Sequence, residues 1–108
     1  MGGSALIDLE IVSSTDTEVR ARLPVRDYLK QPLGLLHGGV FAVIAEEMTV
    51  GAGRAISNQT SFLRPITEGT IHALARRRHL GRTTAVWELD ITDDDGRLCA
   101  LVRVTVAI

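Results

Sequence analysis

The chain has 108 residues, of which 45% are hydrophobic and 23% charged, as expected for a single globular domain over 1–108. Its 12 basic and 13 acidic residues give a net charge of −1, which argues against a nucleic-acid-binding protein. The apolar runs are far shorter than the ~20 residues of a membrane span, the N-terminus lacks the pattern of a signal peptide, and the single Cys99 cannot form an internal disulfide. We therefore expect a cytoplasmic protein.

Alternating apolar and polar residues predict six strands, with one helix between the second and the third. Residues 6–12 and 19–23 read as an antiparallel hairpin around a turn at 13–16. A loop over 26–36 leads into a helix over 38–50, which glycines at 51 and 53 end. The remaining strands are expected at 55–63, 70–79, 83–91 and 97–108, and the Asp-Asp-Asp-Gly sequence at 93–96 is a hairpin turn.

The period-two pattern of the last three strands assigns each of them one apolar face. One helix with about six antiparallel strands predicts an α+β domain whose sheet wraps around the helix. The residues predicted to share the apolar faces are Ile71, Ala73 and Ala75, then Ala85, Trp87, Leu89 and Ile91, and finally Leu98, Ala100, Val102, Val104, Val106 and Ile108.

The start of the predicted helix carries the strongest functional signal. Gly38 and Gly39 have no Cβ, so a ligand or another backbone can approach them closely. The first amides of a helix have no internal partner and carry partial positive charge, so an oxyanion or a polarised carbonyl could bind there. His37 and Gln31 lie just upstream as further polar groups.

Two carboxylates follow in the same helix. Residues 40–45 are all apolar, so we expect a helix that is buried all round. Glu46 comes directly after them. Burying a carboxylate there is energetically unfavourable unless it has a functional role or a polar partner. Glu47 points roughly 100° away from Glu46 around the helix, so only one of the two can face a given pocket.

This stretch resembles a known signature. Gln31, Gly34, the His37-Gly38-Gly39 sequence and Glu46 look like the motif of hotdog-fold acyl-CoA thioesterases of the phenylacetate-pathway type. The pattern is most similar to the branch that cleaves aromatic acyl-CoA such as 4-hydroxybenzoyl-CoA. Segments 61–65 with Gly69, 79–82 and 95–98 match the family in the same order.

The resemblance implies a hotdog fold, hydrolysis of an acyl-CoA thioester, and a homodimer that forms a dimer of dimers. It implies no cofactor, because coenzyme A is part of the substrate. It makes Glu46 the nucleophile or general base and the N–H of Gly38 and the side chain of Gln31 the groups that polarise the carbonyl. His37 would orient the loop or the leaving thiol. Without the resemblance, the His-Gly-Gly sequence would also fit a tight loop before a helix.

The chain departs from the family pattern in ways that leave a second function open. The segment between Glu46 and Phe62 is shorter than the resemblance implies, and Val50 stands where the family often has Thr or Ser. A non-catalytic hotdog module that binds acyl-CoA or serves assembly is the alternative. A hotdog dehydratase would require a different motif, and the chain lacks the Gly-Xaa-Ser-Xaa-Gly elbow of serine hydrolases.

Helix geometry adds a prediction about assembly. His37 and Glu46 would lie roughly 13 Å apart along one helix, whereas reacting groups must meet within about 3–3.5 Å. Gly38 and Glu46 of one chain therefore cannot contact the same carbonyl. A twofold dimer with antiparallel helices side by side brings Glu46 of one chain near Gly38 of the other, which gives two composite sites.

One cluster of basic residues is a candidate binding site for the phosphates of coenzyme A. In a strand, Arg76 and Arg78 share one face and Arg77 and His79 the other; the alternative is a solvated edge. We expect no metal, because the three histidines lack ligand spacing. The candidate residues for coenzyme A are Arg76, Arg78, His79, Gly81 and Arg82.

Overall fold

The computed structural model describes residues 8–30 and 38–108, and within them it has one α-helix and six strands. Single 3-10 turns occur at Asp27–Leu29 and Val50–Ala52. The elements are β1 (Glu10–Ser14), β2 (Glu18–Pro24), α1 (Gly38–Thr49), β3 (Arg54–Phe62), β4 (Thr70–Leu80), β5 (Thr84–Thr92) and β6 (Leu98–Ala107).

The strands form one antiparallel sheet in the order β1-β2-β4-β5-β6-β3, and α1 packs against it. Among the described strands, β3 pairs on one side only, with β6, so it is an edge of the sheet. The prediction of an α+β domain with one helix against a six-stranded antiparallel sheet is confirmed.

The prediction for the first strand was wrong in position. β1 runs over Glu10–Ser14 rather than 6–12, of which residues 6 and 7 lie outside the described part. The turn begins later because the hydroxyl of Thr15 accepts hydrogen bonds from the N–H groups of Thr17 and Glu18. The predicted hairpin itself is confirmed, since β1 and β2 pair antiparallel.

The apolar faces of β4, β5 and β6 form most of the core, as the alternation predicted, with two differences at the ends of β6. Ile91 pairs with Ala100 and Thr92 pairs with Leu98, so Cys99 is an extra residue in β6. This bulge reverses the alternation and leaves Leu98 38% exposed, while Cys99 is buried. Ile108, after the end of β6, is exposed as well.

The expectation that α1 is buried all round was wrong for one side. The side that packs on the sheet is fully buried, but Ala42 and Val43 are only half-buried, and Gly39 and Glu46 are exposed. These four residues recur at spacings of three and four, so they form one stripe along the helix, which we call the open face of α1. The buried residues of α1 are Val40, Phe41, Ile44, Ala45, Met48 and Thr49.

The chain passes from α1 into the edge strand through a short connection that requires glycine. Thr49 ends the helix, with its hydroxyl donating to the carbonyl of Ala45 at 2.8 Å. Gly53 then has φ 148°, a conformation that L side chains rarely adopt. A Cβ at this position would collide with the carbonyl oxygen of Ala107, so only glycine lets β3 begin so close to β6.

Candidate active site

Gly38 and Glu46 lie on one continuous helix, as the sequence predicted. Eight residues separate them, which corresponds to about 12 Å along the axis. The helix begins at Gly38, so the outward-pointing amides are at its first turn, and Glu46 is exposed on the open face. The separation confirms the premise that the two groups of one chain cannot meet at one carbonyl.

An aromatic ring of the edge strand lies against the start of α1. A Cβ built on Gly38 would come within 2.8 Å of the ring of Phe62, so this glycine makes room for the ring inside its own chain. Phe62 also faces Phe41, with ring centroids 6.1 Å apart, and is 62% exposed. An aromatic pair, with Phe62 exposed and Phe41 buried, therefore borders the amides that the sequence assigns to carbonyl binding.

The carboxylate of Glu46 is in contact with the same strand. The side-chain amide of Asn58, on β3, lies 3.4 Å from Oε2 of Glu46 and 3.3 Å from the carbonyl oxygen of Ala42. The sequence analysis did not single out Asn58. The signal that could have found it is a polar residue in the strand that follows the helix, but only the packing of β3 beside α1 brings it to Glu46.

Glu47 lies on another side of the helix from Glu46, as the 100° offset predicted. Glu47 is half-buried, whereas Glu46 is exposed on the open face. The structure thus separates the two carboxylates by environment.

Arg76 and Arg78 of the basic cluster lie on the face of the sheet opposite α1, whereas Arg77 lies on the helix side beside Met48 and Trp87. Arg76 is 4.0 Å from Asp90, and Arg78 is 3.1 Å from Glu88. Arg103 of β6, which the sequence analysis missed, joins the same group through Glu88 at 2.9 Å. The three arginines line an open cavity of about 480 Å³. The sheet separates this cavity from Glu46 of the same chain, so the structure does not bring the two predicted groups together within one subunit.

A bulge changes the predicted faces at the end of β4. Arg77 pairs with Trp87 and His79 pairs with Val86, which leaves Arg78 as the extra residue. The prediction that Arg77 and His79 share a face was therefore wrong, because the register shifts between them. Gly81 starts the turn to β5, where its N–H donates to the carbonyl of Thr84, and Arg82 is exposed beside it.

Gln31, Gly34 and His37 lie outside the described residues. Their roles therefore stay predictions of the sequence.

The shifted ionisable groups lie away from α1. A hydrogen bond from His72, supported by the N–H of Thr70, lowers the pKa of Asp94 and ties β4 to the β5–β6 turn. Burial works against the ionised form of Asp93, but hydrogen bonds from Arg97 outweigh it and lower the pKa of Asp93. Burial raises the pKa of the Cys99 thiol, which is packed in the core.

Residues 8–30 and 38–108 contain no group of three or more His, Cys, Asp or Glu side chains that could hold a metal ion. In the same part of the chain, no helix is both long and apolar enough to span a membrane.

Solved structures share this arrangement of one helix and one sheet. A glutamine-to-alanine variant of a thioesterase from Pseudomonas aeruginosa superposes with a TM-score of 0.87 at 31% identity, covering 95% of this chain and 84% of that chain. This similarity confirms the predicted hotdog fold. The fold and the site therefore define a protein of the hotdog thioesterase class.

Sequence comparison identifies the family. Residues 33–100 match the model of the thioesterase superfamily, and the chain belongs to that superfamily. A 1,4-dihydroxy-2-naphthoyl-CoA hydrolase of Listeria monocytogenes is 34% identical over all of this chain and 96% of its own length. The protein of the same name from Escherichia coli is 33% identical over 94% of this chain and 82% of its own.

These matches confirm the prediction of an enzyme of the thioesterase class. They also bear on the shortened segment. The alignment with the Listeria protein covers 118 positions, against the 108 residues of this chain, a difference of ten. At least that many positions of the relative have no counterpart here, which is consistent with the short segment between Glu46 and Phe62.

Proposed function

We propose that the protein hydrolyses the thioester of an aromatic acyl-CoA to the free acid and coenzyme A. The observation that carries the proposal is the arrangement on α1, in which an amide terminus with an aromatic border at Gly38 and a carboxylate at Glu46 lie on one helix. The two relatives named as 1,4-dihydroxy-2-naphthoyl-CoA hydrolases support an aromatic acyl group. Membership of the phenylacetate-pathway branch and the cytoplasmic location stay predictions.

In this proposal the thioester carbonyl accepts hydrogen bonds from the N–H of Gly38 and from Gln31. Negative charge that develops on the carbonyl oxygen during attack is stabilised there by the positive end of the helix. Glu46 attacks the carbonyl carbon or removes a proton from an attacking water, and the thiolate of coenzyme A leaves. His37 orients the loop or the leaving thiol. The rings of Phe41 and Phe62 supply an apolar wall beside the amides.

We further propose that each site takes Gly38 and Gln31 from one chain and Glu46 from its partner. Two features of the described structure support this. The open face of α1 is apolar except for Glu46. Its apolar surface is accessible to water in the single chain, and another helix could bury it. The adjacent edge strand β3 leaves its outer backbone groups unpaired within the described chain, and exposes Ile56 and Phe62 at 54% and 62%. A second copy that pairs along β3 would place two antiparallel helices side by side.

The arginine cavity is proposed to hold the phosphates of coenzyme A. Of the candidates from the sequence, Arg76 and Arg78 line this cavity together with Arg103, whereas His79, Gly81 and Arg82 are outside its lining. Because the sheet separates the cavity from α1 of its own chain, we propose that it serves a helix of a neighbouring subunit, as a dimer of dimers would allow.

The test of the reaction is thiol release from benzoyl-CoA and from a medium-chain acyl-CoA, measured with a thiol reagent for the wild type, Glu46→Ala and Glu47→Ala. We expect hydrolysis by the wild type with a higher kcat/KM for benzoyl-CoA. Glu46→Ala should lose hydrolysis while it remains a folded dimer, because the change removes chemistry from an exposed position. Glu47→Ala is the matched control and should retain most activity.

Undiminished hydrolysis by Glu46→Ala would refute the assignment of Glu46. No thiol release by the wild type from either substrate would instead favour the non-catalytic module.

A further inference from the structure

Asn58 links the edge strand to the helix. It lies on β3, half-buried, and its Nδ2 is 3.4 Å from Oε2 of Glu46 and 3.3 Å from the carbonyl oxygen of Ala42. Its Oδ1 accepts a hydrogen bond of 3.0 Å from the hydroxyl of Thr60. One side chain therefore contacts the helix backbone, the carboxylate and its own strand.

The chemistry of these partners determines which way the amide points. A backbone carbonyl and an ionised carboxylate can only accept hydrogen bonds, so the NH₂ group, with its two protons, must face Ala42 and Glu46. The hydroxyl of Thr60 can donate, and it meets the remaining oxygen of Asn58. Each polar atom of the amide thus has a suitable partner, and the orientation is consistent with all three contacts.

Glu46 needs such a partner because its surroundings constrain it little. The side chain is exposed on the open face of α1, and within residues 8–30 and 38–108 no cation forms a salt bridge with it. A long, exposed carboxylate samples several rotamers, and holding it in one of them has an entropic cost. The hydrogen bond from Asn58 favours the rotamers in which Oε2 lies against β3.

We propose that Asn58 is a positioning residue that holds Oε2 of Glu46 and leaves Oε1 for the carbonyl carbon or the attacking water. The inference rests on the proposed function of Glu46. A reacting group that is already in place raises kcat more than it changes substrate affinity, because the benefit arises at the chemical step.

The first test is steady-state kinetics of Asn58→Ala and Asn58→Asp with benzoyl-CoA. The control is Ser57→Ala, an exposed neighbour on the same strand whose side chain makes no hydrogen bond to the helix in the described structure. We expect kcat to fall about tenfold in Asn58→Ala with KM within about twofold, and Ser57→Ala to match the wild type. Asn58→Asp has the same shape without the donor, and it carries the test if Asn58→Ala does not fold.

A merely structural role for Asn58 would not change the pH profile or couple to Glu46. In Asn58→Asp a second carboxylate faces Glu46, so the acidic limb of kcat/KM should move to higher pH. In a Glu46→Asp background the shortened carboxylate no longer reaches Asn58, so Asn58→Ala should cause little further loss.

An unchanged kcat in both Asn58 variants, or fully additive losses in the Glu46→Asp background with an unmoved pH profile, would overturn the inference. The outcome is separable from that of the proposed function. Undiminished activity in Glu46→Ala refutes the proposed role of Glu46, whereas an inactive Glu46→Ala beside fully active Asn58 variants refutes only the role of Asn58.

Discussion

β3 and β5 are strands of equal length in one sheet, but they differ in almost every physical respect. β5 pairs on both sides, and every second residue from Ala85 to Ile91 is buried. β3 pairs with β6 alone, and none of its residues is buried. β5 contributes apolar burial to the core, whereas β3 buries no residue and brings Asn58 and Phe62 to the helix. The candidate site therefore lies beside the strand that contributes no buried residue to the core.

The largest expected effect is on activity, and it tests whether a second chain pairs with the edge strand β3. If a partner covers this edge, Glu46→Ala and Gly38→Pro should complement each other when mixed. Each variant alone is inactive, but a mixed dimer holds one site with both defects and one with neither. Random reassortment makes about half of the dimers mixed, so activity should return to roughly a quarter of the wild type if chains exchange and sites act independently.

The structure adds a control to this experiment. Proline at 38 removes the donor N–H, but it also brings a side chain onto the ring of Phe62. Gly38→Ala adds the Cβ and keeps the N–H, so its activity separates the two effects. If activity does not recover although mass spectrometry of intact dimers verifies exchange, each site is built within one chain. The proposal that a partner subunit pairs along β3 to complete the site would then be refuted.

A smaller effect should separate the two strands in stability. Leu89→Ala on β5 removes a fully buried side chain and should lower the free energy of unfolding by about 2–5 kcal/mol. Ile56→Ala on β3 changes a residue that is 54% exposed in the single chain. It should lower the free energy of unfolding of the monomer much less, since surface substitutions usually change it by no more than about 0.5 kcal/mol. Urea denaturation at several protein concentrations measures both, and equal losses at low concentration would contradict the comparison.

The smallest expected effect concerns the outer face of the central strands. Replacing both Arg76 and Arg78 by Ala should raise KM for acyl-CoA by about tenfold while a truncated pantetheine thioester is affected little, since these arginines would contact only the nucleotide end. Arg20→Ala, an exposed arginine on β2 that is paired with Glu18, is the control. If both substrates respond equally, the ion pairs with Asp90 and Glu88 are a solvated surface network.

The sequence predicted most of the fold because its signals are local. Period-two alternation located β4, β5 and β6 to within a residue or two, and the glycines around the apolar stretch located α1. It failed where the backbone departs from a regular period. The bulges at Arg78 and Cys99 each shift the register, so that the residues beyond them face the opposite side of the sheet from the one predicted. The residue types in these strands do not indicate the extra residue.

The sequence by itself predicted the class of the protein through its resemblance to the thioesterase family, because the motif from Gln31 to Glu46 is a local pattern. Tertiary structure alone decided which residues surround that glutamate. Asn58 and Phe62 meet α1 only because β3 crosses to the far side of β6, and Arg103 joins Arg76 and Arg78 only through the order of the sheet. Contacts between distant segments depend on strand order and register, which the residue types of one strand do not specify.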